Sequence, residues 1–99
     1  MKNLVLALLA IIFVSTAAIA NQSLEDGCRA FGEVGAAIME SRQNGESLRS
    51  VLYSLPEEIH WVAYDVYDVR REQTYIRQRR AVEFAHQHFY NFCMNALNQ

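Results

Sequence analysis

Glu57-Glu58-Ile59-His60 and Glu83-Phe84-Ala85-His86 each place a carboxylate three residues ahead of an imidazole. On a helix, positions i and i+3 share a face. Two Glu-x-x-His segments joined by one further Glu from each of two other helices hold di-metal centres in four-helix bundles. The remainder of that set fits poorly here. Glu57 falls in the first turn of its helix, where an acid suits the helix dipole anyway, while Glu83 and His86 fall mid-helix. The outer carboxylates would be Glu33 and Glu40, both on one helix. Among 11 acids and three histidines, two such spacings arise from composition alone. His86-x-His88 is no chelate either, because i and i+2 point to nearly opposite sides of a helix. One of these histidines is expected half-buried and the other exposed. No serine, cysteine or acid stands in a recognisable nucleophile setting. No Cys-x-x-Cys occurs, and no Gly-rich phosphate loop follows a strand. The expectation is a protein without catalytic residues, metal or other cofactor, and not an enzyme.

The remaining reactive groups are Cys28 and Cys93. Ahead of them Met1 to Ala20 reads as an export signal: a short positive start at Lys2, an apolar run from Leu4 to Val14, and a small–x–small box at Ala18-Ile19-Ala20. An uncleaved membrane anchor is the alternative, although the run is short and its second half is rich in Ser, Thr and Ala. No cysteine follows Ala20, which argues against a lipoprotein. Residues 1–20 are therefore expected as a cleaved signal peptide and 21–99 as a single helical domain, periplasmic or secreted. In an oxidising compartment a lone pair of thiols closes as a disulfide, so Cys28 and Cys93 are expected to be bonded.

Cleavage removes 20 of the 99 residues and leaves 79, near the size at which a hydrophobic core alone is marginal. Lys2 is the single lysine, so the mature chain carries eight arginines against 11 acids, a net charge of −3. That balance excludes nucleic acid as the main partner. No second apolar run is long enough to span a bilayer. Arg70, Arg71, Arg77, Arg79 and Arg80 cluster in one stretch. They form either a solvated turn and helix start, paired with Asp65, Asp68, Glu72 and Glu83, or a docking patch for an anionic partner.

The elements that position these residues are helical. Ser23 and Asp26 resemble a capping box, and Cys28, Phe31, Gly32, Gly35, Ile38 and Met39 then recur at three- and four-residue steps. This first helix should end at Gln43, before Asn44-Gly45. Ser47 can cap a short second helix with Leu48, Val51, Leu52 and Leu55 inward. Pro56 fits the first turn of a third, whose apolar side is Ile59, Val62, Ala63, Val66 and Tyr67. The strand-forming composition of Trp61 to Val69 objects, but a lone strand would lack a partner. Thr74 can cap a long last helix with Val82, Ala85, Phe89, Cys93 and Ala96 on one stripe, fraying among Asn95 to Gln99. The fold class is all-α, a small bundle of three to four helices. Its first and last helices run antiparallel, joined by Cys28–Cys93. That register sets Phe31 near Phe89, Gly35 near Ala85 or His86, and Ile38 near Val82.

Trp61, Tyr64, Phe84 and Phe92 fall off these stripes. They either wrap a second core layer or form an exposed interaction face, the usual anchor of protein interfaces.

Taken together, Cys28 starting a helix, Arg42-Gln43-Asn44-Gly45 ending it, Val66-Tyr67, and Phe84 and Tyr90 leading to Cys93 resemble small exported proteins of bacteria and phages, a family of unknown function. The resemblance implies a disulfide-linked helical fold and carries no activity. The leading expectation is an exported, non-enzymatic protein acting on an unknown protein partner in the envelope or outside the cell, as an inhibitor, immunity or accessory factor. An acid or stress chaperone, similar to small disulfide-linked helical proteins that open in acid, is a second reading. A phage lysis regulator with a membrane-retained signal is a third. The oligomeric state is left open.

Overall fold

A computed structural model describes residues 17–98; the expected signal up to Thr16 lies outside the described residues. Four α-helices follow in order: α1 Ala17–Gln43, α2 Leu48–Ser54, α3 His60–Tyr67 and α4 Tyr75–Leu97. A 3₁₀ turn, Glu57–Ile59, leads into α3. No strand occurs among the described residues. The residues Trp61 to Tyr67 are helical despite their composition, because Val62, Ala63 and Val66 all reach the core at three- and four-residue steps. Tertiary burial overrides strand propensity here.

Helices α1 and α4 pack antiparallel along their length, with α2 and α3 laid across α1. The Cys28–Cys93 disulfide joins α1 to α4 at a Cα–Cα separation of 5.3 Å. From there the shared seam runs through Phe31 and Phe89, whose rings meet edge-on at 5.8 Å, to Ile38 and Val82 in the same core cluster. Two details of the expected register change. Gly35 lies against the ring of Phe89 and not against Ala85 or His86; it is Gly32 that faces His86. The phenyl ring reaches a turn along α1, which spacing alone does not show. On α4 the stripe loses burial toward its end: Cys93 is half-buried and Ala96, next on the stripe, is exposed.

Helix ends follow local chemistry, with one exception. Ser47 Oγ accepts from the Ser50 N–H at 3.1 Å, and Thr74 Oγ1 from the Arg77 N–H at 3.2 Å. Gly45 adopts φ +85° past the end of α1. Its N–H and that of Glu46 donate to the carbonyls of Arg42 and Ser41 at 3.1 and 3.0 Å, a Schellman arrangement. Pro56 is the residue before the 3₁₀ turn, one step earlier than expected. The exception is Ser23. It does not start α1 but lies buried inside it, because the alanine-rich residues from Ala17 continue the helix through the apparent capping box. At the other end, α4 stops at Leu97, within the stretch expected to fray.

One buried amide ties the α3–α4 loop to the end of α1. Gln43, 2% exposed, donates through Nε2 to the Arg70 carbonyl at 3.1 Å and accepts through Oε1 from the Glu72 N–H at 2.6 Å. Replacing it by leucine leaves both backbone groups without their partner. We expect Gln43→Leu to cost about 2 kcal/mol in urea unfolding, and the Glu72 amide to exchange faster with deuterium while amides of the α1–α4 seam do not.

Candidate interaction face

The structure separates the expected arginine patch into different duties. Arg71 donates from Nε and Nη2 to the Gln43 carbonyl, each at 3.3 Å, so its charge sits at the negative end of α1. Arg42, outside the expected patch, donates to the Val69 carbonyl at 3.0 Å and lies over the Tyr67 ring. Arg70 pairs with half-buried Glu72 at 3.6 Å, and Arg79 with exposed Glu40 at 3.7 Å. Arg77 and Arg80 have no ion-pair partner among the described residues. Of the four acids expected to pair with the cluster, only Glu72 does so; Asp65 instead faces His88 at 3.9 Å. The loop carbonyls and the end of α1 compete for these guanidinium groups, and that competition depends on tertiary contacts.

Tyr67, the last residue of α3, donates its hydroxyl to the Glu46 carbonyl at 2.9 Å. Burial pushes the Tyr67 phenol above its ordinary pKa, the Glu46 carboxylate adds to this, and Arg42 opposes it. The neutral phenol is thus the folded form.

The two Glu-x-x-His segments do not converge. Glu57 lies in the 3₁₀ turn, and His60 Nε2 is 3.0 Å from the Leu55 carbonyl. Glu83 is exposed on α4, and half-buried His86 packs beside Gly32. Among the described residues no group of three ligating side chains is arranged for a metal ion.

The four off-stripe aromatics are all exposed, and three of them gather on one side of α3 and α4. Trp61 meets Phe92 at 5.2 Å and also contacts Phe31 and Phe89 at 5.9 and 6.0 Å. Its ring thus spans from the core to the surface. Phe84 stacks on His88 at 5.7 Å, with 17° between the rings. Phe84 and Phe92 line one shallow hollow together, and Phe84 also borders a cleft of about 120 Å³ between α3 and α4. Tyr64 is exposed without an aromatic neighbour among the described residues. Trp61 and Phe92 partly roof the core, while Phe84 stands out from it. His88 was not among the expected face residues. Its four-residue spacing from both Phe84 and Phe92 is the signal that would have placed it there.

Comparison of the chain with known protein families, characterised proteins and solved structures finds no match. Function is therefore read from the chain's own geometry.

Proposed function

We propose that the chain is a small exported protein that acts without catalysis, by binding another protein through the aromatic side of α3 and α4. The observation that carries this reading is the exposure of Trp61, Phe84 and Phe92, at 41%, 63% and 50%, as neighbours on a disulfide-linked framework. Clustered large apolar residues on a small domain mark interaction surfaces. Tryptophan held against a rigid core is a favoured anchor, because little side-chain freedom remains to be lost on binding. An inhibitor, immunity or accessory factor is the role such a surface suits. Export is supported by the Met1–Ala20 pattern and by the disulfide, which persists outside the reducing cytoplasm. Among the described residues no helix is long and apolar enough to cross a membrane. Cleavage after Ala20 falls inside the first turns of α1 and leaves the bridge and the seam intact.

The test is quantitative capture from envelope extract and medium by the immobilised chain. Trp61→Ala and Phe84→Ala are each expected to weaken capture of a specific protein by about tenfold or more. Tyr53→Ala, fully outside this face on α2, should leave it unchanged. Equal capture by all three variants, or none by the parent chain, contradicts the proposal.

A further inference from the structure

Phe84 and Phe92 belong to a longer ridge. Ile76, Arg80, Phe84, His88 and Phe92 follow one another at four-residue steps along α4, and all five are exposed. The ridge covers about 24 Å of helix. Each four-residue step turns about 40° round the axis, so Arg80, Phe84 and His88 share one face, with the phenyl ring between two nitrogen-bearing side chains. A hollow of about 330 Å³ runs beside it, bounded by Gln87, Asn91 and Asn95. Two helices that present four-residue ridges interlock by laying the ridge of each into such a groove on the other, at a crossing of about −50°.

The charges on this face are also complementary to themselves. Arg80 has no ion-pair partner among the described residues. Asp65 projects beside His88 at 3.9 Å, beyond hydrogen-bond distance, and engages no arginine. A basic group thus stands four residues before Phe84, and an acidic one stands level with the position four residues after it.

We infer that this face is covered by a second copy of the chain, with α4 antiparallel to the partner's α4 about a twofold axis at Phe84. Phe84 then meets the partner's Phe84. Arg80 lies against the pair formed by the partner's His88 and the partner's Asp65, and each unlike contact occurs twice. The inference rests on the aromatic side of α3 and α4 being an interaction surface, and names its occupant. A different protein binding there competes with the second copy.

Sedimentation equilibrium of the purified chain, bridge intact, tests it. The parent chain is expected to be dimeric and Phe84→Asp monomeric. Arg80→Glu should raise the dissociation constant by about tenfold or more, and adding Asp65→Arg to it should restore the dimer by exchanging the charges. These positions are exposed, so circular dichroism of each variant should match the parent, and melting should differ only by the concentration-dependent part that dimerisation supplies. Tyr53→Asp should leave the dimer intact. A monomer at every concentration, a dimer indifferent to Arg80→Glu, or a charge exchange that fails to rescue overturns the inference. A monomeric chain that still loses protein capture on Phe84→Ala keeps the interaction surface and removes the second copy as its occupant. A dimer that responds as stated and captures nothing else supports the second copy and removes the separate protein partner.

Discussion

Removing the Cys28–Cys93 bridge is expected to cost about 4 kcal/mol of folding stability, a large share of what a domain of this size has. The bond joins residues 65 positions apart, so in the unfolded chain it closes nearly the whole domain into one loop. The conformational freedom it removes grows with the logarithm of loop length, which places this bridge at the upper end of the usual range. Total stabilities of small domains are about 5–15 kcal/mol, and a mature chain of this size sits low in that interval. The reduced protein should therefore lie close to its unfolding midpoint without denaturant. Cys28→Ala with Cys93→Ala is the cleaner variant, since Cys28 is fully buried and a serine there would bury an unpartnered hydroxyl. Urea unfolding followed by the Trp61 fluorescence reports the loss. A change under about 1 kcal/mol would mean that the packing of α1 on α4 sustains the fold unaided.

Alanine at the two seam glycines should be the next most damaging change. Glycine inside a helix ordinarily costs about 1 kcal/mol against alanine, so a Gly→Ala replacement stabilises wherever the methyl has room. Gly27 provides that case: nothing lies within 4 Å of the position its Cβ would take, and Gly27→Ala should raise stability by up to about 1 kcal/mol. At Gly32 the sign reverses. A Cβ there would stand 2.7 Å from the His86 carbonyl oxygen, a backbone atom that can move only with α4 itself. At Gly35 it would press on the Phe89 ring, 3.0 Å from Cγ and 3.2 Å from Cβ. That ring cannot swing aside, because it is 2% exposed and held edge-on by Phe31 and His88 at 5.8 and 4.9 Å. Overpacking of this kind costs about 1–3 kcal/mol at each site. We expect Gly32→Ala with Gly35→Ala to lose about 3 kcal/mol and to make the disulfide easier to reduce, since both act on one seam. Neutral or stabilising replacements at both positions would show that α1 and α4 lie farther apart than described.

Much of this seam was legible in advance, because it depends on periodicity and on a pair of cysteines. Two apolar stripes of helical spacing, each carrying one cysteine, can be brought together in only one antiparallel register. The caps at Ser47 and Thr74 and the turn at Gly45 were legible for a similar reason: each depends on backbone groups within a few residues. Ser23 shows the limit of local signals. Its capping chemistry is sound, but the residues before it are helix formers, and the helix runs past it. The arginines show a different limit. Arg42 and Arg71 are held by carbonyls at 27 and 28 residues' separation, so nothing in the run of basic residues reveals which of them remain available. The aromatic side of α3 and α4 lies between these cases. Trp61, Phe84 and Phe92 stood out as aromatics off the stripes, but Tyr64 stands apart from them. The link through His88 and Asp65 needed α3 and α4 side by side.

The claim that this is an exported domain closed by a single bridge is tested most directly by intact-mass measurement of the natively expressed chain. Thiols are alkylated before and after reduction, so cleavage and bonding are read from one sample. The expected product begins at Asn21 and takes up two alkyl groups only after reduction. A chain that retains Met1 to Ala20, with Cys28 and Cys93 alkylated without reductant, would contradict it.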